Sequence, residues 1–235
     1  MNIISNESMI KRNARIAQIA MIAGLIVLAG GMVISFSPAY TQFFYLTLLS
    51  LVFGFILSQI GIYYTNRFGR HPRPDEQINQ ALKGLDGKYT LYHYMTPVSH
   101  LLVGPAGIWI LLPRNQRGRI TFSNGRWRHQ GGSLYLRIFA QEGIGRPDID
   151  QSSETDKLNQ LFAKNLPEGT APAIQSALVF TNPNVKIDIS EDVDPPAKTV
   201  TADKLKEALR KVAKSSPTSP QVIQQITSLF PEESI

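Results

Sequence analysis

Cysteine is absent from this 235-residue chain. Its absence excludes disulfide bonds, thiolate zinc sites and thiol nucleophiles, and it leaves the redox compartment undetermined. Disorder throughout the chain is excluded as well, because 43% of the residues are hydrophobic and the net charge is only +6. Two further absences are local: one stretch lacks charge of either sign, and another lacks acidic residues. These two stretches carry most of what the sequence predicts.

The charge-free stretch runs from Ile16 to Asn66 and contains no Asp, Glu, Lys, Arg or His. Pro38 lies in a polar segment that divides it into two apolar runs, residues 16–36 and 43–64. At about 1.5 Å per residue, each run would form a helix roughly 30 Å long, which matches the hydrocarbon core of a bilayer. Aromatic residues near the ends of the second run are typical of a membrane interface. We therefore predict a transmembrane helical hairpin.

A cleaved signal peptide is the alternative for the first run, since Lys11, Arg12 and Arg15 resemble a basic n-region. That run is too long, however, and no good cleavage site precedes Pro38. Basic residues flank the hairpin on both sides and its loop is uncharged. The positive-inside rule then predicts a multi-pass protein of the plasma (inner) membrane, with residues 1–15 as a cytoplasmic tail and both termini cytoplasmic.

Four glycines could allow close packing of the two helices: Gly24, Gly30, Gly31 and Gly61.

Residues 67–235 are numerous enough for one cytoplasmic domain. Apolar periodicity and turn signals predict a helix that begins at Pro74, a strand meander, and a hairpin around Ser123-Asn124-Gly125. The order of elements predicts an α/β fold, a mixed sheet flanked by helices. The elements predicted after the first helix are strands 89–94, 100–103, 108–112, 119–122, 126–130 and 134–139, a helix 153–166 capped by Ser153, strands 176–180, 185–189 and 199–200, and helices 202–212 and 221–230.

The meander reads Ser-His-Leu-Leu-Val-Gly-Pro from Ser99, and the hairpin carries Gly-Arg-Trp from Gly125. In these motifs and their order, residues 73–213 resemble the nuclease-related domain (NERD) family, which has the restriction-endonuclease-like fold. That family carries an early Glu in its first helix, an Asp before the strand His, and Glu-x-Lys on the next strand. The resemblance places these four functional positions at Glu76, Ser99, Leu112 and Arg114.

The stretch without acidic residues falls on these positions. No Asp or Glu occurs in residues 88–140, so the meander cannot supply the carboxylates that hold Mg²⁺ or Mn²⁺. Arg114 cannot act as a base near neutral pH. We therefore expect a domain that is degenerate at its catalytic positions and needs no metal or cofactor. Glu76 is interpreted as an acid at the N-terminus of its helix that interacts favourably with the helix dipole. The alternative is a nuclease dependent on Mg²⁺ or Mn²⁺, which would combine Glu76 with acids from elsewhere, such as Asp148 or Asp150.

Other catalytic constellations find no support in the sequence. The four histidines are scattered along the chain, so no zinc site is predicted. Ser99 has no acidic residue nearby in the sequence, so a hydrolase triad is not predicted either. His100 is interpreted as a structural residue beside a buried strand.

Arginine is concentrated in the region that lacks acids. Seven arginines and one acid lie in residues 101–146, whereas thirteen acids and nine bases follow. Arginine suits bidentate phosphate contacts, and Trp127 or His129 could stack on bases. Three interpretations remain: a nucleic-acid surface, a contact with anionic lipid head groups, and a solvated hairpin paired with the acidic half. The candidate phosphate-binding residues are Arg114, Arg117, Arg119, Arg126 and Arg128.

The sequence thus predicts a membrane-anchored, non-catalytic domain. Its arginine-rich hairpin would bind nucleic acid, anionic lipid or a protein partner. Neither the identity of a protein partner nor a homodimer is predicted.

Overall fold

The structure is a computed structural model that describes residues 1–36, 42–130, 143–167, 169–190 and 194–233. The chain divides into two compact units. One is helical and comprises Ser8–Arg73; the other comprises Met1–Glu7 together with the described residues from Pro74 onward. The second unit is α/β, with a mixed sheet and flanking helices. The coarse fold class predicted from the sequence is therefore confirmed.

Two long helices, α1 (Glu7–Phe36) and α2 (Phe44–Tyr64), dominate the helical unit, and a π-helical turn (Thr65–Gly69) follows them. Both helices are long and apolar enough to cross a membrane, and only 17% of the most apolar window of each is buried. Leu25 is 68% exposed and Phe36 is 80% exposed. A helix at the core of a soluble protein buries such side chains, so this surface suits a lipid environment.

The predicted apolar runs coincide with these helices. The run 43–64 matches α2, whereas the run 16–36 is the second part of α1, which begins nine residues earlier at Glu7. Lys11, Arg12 and Arg15 therefore lie within the first turns of α1. Pro38 lies in residues 37–41, outside the described residues.

Close packing of α1 on α2 depends on glycine. A Cβ on Gly24 would lie 3.1 Å from the backbone nitrogen of Ser58, tighter than ordinary van der Waals contact. Gly30, by contrast, has nothing within 4 Å of such a Cβ. Three of the four predicted glycines thus face the other helix, and Gly30 does not. The glycines at close approach are Gly24, Gly31 and Gly61, joined by Gly54.

Over the described residues, the main sheet of the α/β unit has six strands in the order β1-β2-β3-β4-β7-β9. Strands β2, β3 and β4 form an antiparallel meander; β1 runs parallel to β2, and β7 runs parallel to both β4 and β9. The predicted meander is confirmed. The strands are β1 (Asn2–Ser5), β2 (Thr90–His93), β3 (His100–Gly104), β4 (Gly107–Arg114), β7 (Ile174–Phe180) and β9 (Lys198–Thr201).

A second sheet of three strands lies apart from the first, in the order β6-β5-β8. Its strands are β5 (Gly118–Ser123), β6 (Arg126–Gln130) and β8 (Val185–Ile189). The predicted hairpin is confirmed: β5 and β6 are antiparallel, and Asn124 (φ 51°) and Gly125 (φ 68°) adopt the positive φ angles of a tight hairpin turn. The parallel pairing of β5 with β8 was not predicted, and neither was the separation into two sheets. The predicted strand 134–139 lies outside the described residues.

Strand β4 separates two hydrophobic clusters. Ile108, Ile110 and Leu112 pack into the first cluster, whereas Trp109 and Leu111 pack into the second. Successive side chains of a strand point to opposite faces, so a continuously apolar strand supplies both faces at once. The sequence predicted this burial on two sides, and all six residues from Gly107 to Leu112 are buried.

Four helices cover the two faces. On the first face are α4 (Pro147–Asn165) and α6 (Pro220–Thr227); on the second are α3 (Pro74–Ala81) and α5 (Ala202–Ser215). The predicted start of the second helix at Ser153 is wrong. Helix α4 begins six residues earlier, because Pro147 occupies its first turn together with Asp148 and Asp150.

Residues 2–5 belong to the main sheet and not to a free tail. Strand β1 extends the edge of the sheet. The backbone N–H of Asn2 donates to the carbonyl of Tyr89, and the backbone N–H of Asn6 donates to the carbonyl of His93. Ile4 is 2% exposed in the first hydrophobic cluster, whereas its neighbour Ile3 is 41% exposed. The pairing was invisible in the sequence because β1 and β2 are separated by the whole helical unit.

We expect Ile4→Ala to destabilise the α/β unit by about 2–4 kcal/mol, because it removes buried methyl groups and leaves a cavity. Ile3→Ala is the matched control and should cost less than about 0.5 kcal/mol. Both tryptophans, Trp109 and Trp127, lie in this unit. Denaturant unfolding of the full chain followed by tryptophan fluorescence measures the difference. Equal midpoints for the two variants would show that β1 does not contribute to the core.

Candidate functional site

The structure brings two of the family-equivalent positions together. Ser99 directly precedes β3, and Leu112 lies on β4. Continuing the antiparallel register, in which Leu101 pairs with Ile110, places Ser99 opposite Leu112. Leu112 is 5% exposed and packs into the first hydrophobic cluster, so it is a core residue that offers no ligand atom.

Helix α4 supplies a carboxylate to Ser99. The Ser99 Oγ donates to Oε1 of Glu154 at 3.0 Å, and its backbone N–H donates to Oε2 at 3.3 Å. Sequence reasoning missed Glu154 because it is 55 residues away, and no local pattern points to it. The hydroxyl donates directly to a carboxylate with no imidazole between them, which is not the nucleophile–histidine arrangement of a triad. The pair ties α4 to the start of β3.

A second acid of the same helix pairs with Arg114. Asp150 forms an ion pair with the Arg114 guanidinium, which also donates to the Pro113 carbonyl at 3.3 Å. Asp150 and Glu154 are four residues apart and therefore share one face of α4. Arg114 is thus directed to α4, whereas Arg119, Arg126 and Arg128 lie on β5 and β6.

Glu76 is not gathered with these acids. It lies on α3, which packs on the second face of the main sheet through Ile78, whereas α4 packs on the first face through Leu158. Within the described ranges, no group of three or more His, Asp or Glu side chains could hold a metal ion. Glu76 thus lies on a helix of the face opposite to the one that carries Asp148 and Asp150, the acids named as examples in the nuclease alternative.

Two histidines form a buried polar pair between β2 and β3. The Nδ1 atoms of His93 and His100 lie 2.7 Å apart, and His93 Nε2 lies 2.9 Å from Oδ1 of Asn79 on α3. Because a carboxamide oxygen only accepts hydrogen bonds, the contact with Oδ1 of Asn79 is one in which His93 Nε2 donates. Both rings are at most 2% exposed. Their contacts join α3 to the meander, in keeping with the structural role predicted for His100.

The outer surface of the three-stranded sheet carries most of the candidate arginines. Side chains of β5 and β6 alternate between exposed and covered, which places Arg119, Arg126 and Arg128 on the same outer surface. Lys186 of β8 pairs with Arg119 and joins them. We call these four residues the basic face. Asp188 is the acid on the described part of this surface, 3.0 Å from Nε of Arg119.

Trp127 and His129, which the sequence predicts to stack on bases, do not lie on the basic face. Trp127 points to the covered side, where its ring centroid is 4.8 Å from Phe122 and 6.4 Å from Phe180. His129 also points to that side, and its Nε2 is 2.7 Å from the carbonyl of Arg117. The alternation that exposes the arginines turns both half-buried rings to the covered side, and stacking of Trp127 or His129 on bases stays a prediction. Arg117 itself is exposed in the link between β4 and β5.

A groove of about 940 Å³ lies between α6 and the β1–β2 edge. Tyr92 and Glu232 are among its lining residues. Burial, assisted by the negative charge of Glu232, raises the pKa of Tyr92 to about 12. The phenol therefore stays protonated at neutral pH, and the groove contributes no general base at this position.

No protein-family model matches the chain, and neither a curated protein nor a solved structure matches it.

We expect the Ser99–Glu154 contact to stabilise the α/β unit by about 1–2 kcal/mol, as a charge-assisted hydrogen bond in a partly buried site. A double-mutant cycle of Ser99→Ala and Glu154→Ala, read by tryptophan fluorescence during unfolding, gives this coupling energy. The cycle of Arg114→Ala and Asp150→Ala is the comparison. Asp150 is 52% exposed, so that coupling should stay below about 1 kcal/mol. A zero coupling for Ser99 and Glu154 would mean that α4 is not held at the start of β3.

Proposed function

We propose that this chain is a membrane-anchored protein whose cytoplasmic, NERD-like domain binds nucleic acid through the basic face without cleaving it. The observation that carries the proposal is the basic face itself: three arginines and one lysine on the same side of a small sheet, with one acid beside them. Clustered guanidinium groups match the geometry of phosphates. A phosphate backbone is a polyanion that such a surface can bind by neutralising its charges.

The absence of cleavage rests on the family-equivalent positions. Leu112 is part of the core, Ser99 is hydrogen-bonded to Glu154, and Arg114 is paired with Asp150. Hydrolysis of a phosphodiester by this fold needs carboxylates around a divalent cation. Glu154 and Asp150 are engaged by Ser99 and Arg114, and Glu76 lies on the other face of the sheet. No metal cofactor belongs to the proposal.

The membrane topology in the proposal rests on two observations. Basic residues flank the two apolar helices at both ends, as the positive-inside rule requires for cytoplasmic termini. Strand β1, which precedes α1, pairs with β2, which follows α2. The segments before and after the helices therefore share one sheet and lie on the same side of any membrane that the helices cross twice.

Cysteine labelling tests the topology on a chain that has no cysteine of its own. We expect a membrane-impermeant maleimide to label Gln42→Cys, in the loop between the helices, in intact cells. It should label Lys164→Cys, on the exposed face of α4, only after the cells are permeabilised. Labelling of Lys164→Cys in intact cells would place the α/β unit outside and contradict the proposal.

The binding prediction uses the full chain in nanodiscs of zwitterionic lipid, so that the lipid supplies no anionic surface. We expect the double substitution Arg126→Ala/Arg128→Ala to weaken binding of a fluorescent duplex about tenfold or more. It should also reduce the slope of log K against log salt by about 2, because two phosphate contacts are lost. Fluorescence anisotropy over a salt series measures both quantities.

Lys157→Ala/Lys164→Ala is the matched control, because it removes two positive charges from the exposed side of α4 and should leave the affinity unchanged. Cleavage of the nucleic acid with Mg²⁺ or Mn²⁺, abolished by Glu76→Ala, would overturn the proposal in favour of a nuclease. Retention of anionic vesicles with no affinity for nucleic acid would overturn it in favour of a lipid contact.

A further inference from the structure

The outward-facing side chains of the second sheet are the chemical groups that a binding partner would contact. On β6 the side chains of Arg126, Arg128 and Gln130 are exposed, whereas those of Trp127 and His129 lie on the covered side. Residues two apart on a strand are separated by about 6.7 Å and point the same way. The two arginines of β6 therefore present their guanidinium groups side by side on the outer surface.

The neighbouring strand adds small polar groups to the same surface. Thr121 is opposite Arg128, and Ser123 is opposite Arg126. Hydroxyl groups at these positions can donate to phosphate oxygens between the guanidinium groups. Arg119 and Lys186, paired across β5 and β8, extend the positive charge to the far strand.

A stacking platform is missing from this outer surface over the residues of β5, β6 and β8, all of which the structure describes. The aromatic rings of the two-stranded ribbon, Phe122 and Trp127, contact each other on the covered side. Binding of single strands without sequence preference depends on aromatic side chains on which bases stack. Arginine and hydroxyl groups alone contact the phosphates and sugars, which carry no sequence information.

The width of the sheet also keeps it from the base edges. The major groove of B-DNA is about 12 Å wide and admits a two-stranded ribbon. Here β8 adds a third strand beside β5, at about 4.8 Å per strand spacing before side chains are counted. A sheet of this width is better suited to contact the phosphate ridges with its outer surface than to enter the groove.

We infer that the basic face recognises the phosphate backbone of double-stranded nucleic acid, independently of base sequence and in preference to single strands. This inference rests on the proposed function, to which it adds the form of the ligand and the mode of recognition. Asp188 limits the contact, because its carboxylate neutralises Arg119 at 3.0 Å. Removal of that charge strengthens binding to the duplex.

The test uses the full chain in zwitterionic nanodiscs, two duplexes of unrelated sequence, and the single strands of each. The duplexes should bind with affinities within about twofold of each other and at least about fivefold more tightly than the single strands. Asp188→Asn should tighten duplex binding about threefold, because one anionic neighbour of the phosphates is lost. Trp127→Phe, which keeps a ring in the core, should leave the affinity unchanged.

Three results would overturn the inference and leave the proposed function intact, provided that Arg126→Ala/Arg128→Ala still weakens binding. They are tighter binding to single strands, a strong preference for one duplex sequence, and loss of binding in a folded Trp127→Phe variant, with folding verified by circular dichroism. Absence of binding to every duplex and single strand would instead overturn the proposed function, so the two failures are distinguishable.

Discussion

The α/β unit depends on the pairing of β4 with β7. The two strands run parallel over seven residue pairs, from Ile108–Ile174 to Arg114–Phe180, and both are buried at the centre of the main sheet. Because β4 is apolar on both faces, helices must cover it from both sides. Helix α4 does so on one face, and α3 with α5 on the other. The rest of the unit is arranged so that both faces of β4 are buried.

The contacts of α4 follow from that arrangement. Its inner side contributes Leu158 and Phe162 to the first hydrophobic cluster, and this packing brings Glu154 to Ser99 and Asp150 to Arg114. The resemblance to the nuclease-related family would place an Asp at the position of Ser99 and a Lys at the position of Arg114. Here the strand side chains are a hydroxyl and a guanidinium, and each contacts an acid of the covering helix. The polar groups left at the positions of the resemblance thereby find partners within the chain.

The basic face also results from the alternation of side chains between the two faces of a strand. Phe122 and Trp127 anchor the second sheet to the core next to Phe180, and this orientation turns Arg126 and Arg128 outward. A sheet fixed to the core by aromatic rings presents only its polar side to a partner. Strand β8 contributes both a lysine and an aspartate to that side, so the charge of the surface is set by segments far apart in the sequence.

Elements with local signals can be predicted from the amino-acid sequence alone. The charge-free stretch marked both apolar helices, the apolar run from Ile108 to Leu112 marked the doubly buried strand, and Asn124-Gly125 marked the hairpin turn. Contacts between distant segments are visible in the tertiary structure alone. They are the pairing of β1 with β2, which the helical unit separates in the sequence, the pairing of β8 with β5, and the hydrogen bond between Ser99 and Glu154. The tertiary structure also packs the half-buried Trp127 against the core and pairs Arg114 with Asp150 of α4. The reason is physical: periodicity and turn chemistry act over a few residues, whereas strand pairing and side-chain ion pairs depend on which faces the core brings together.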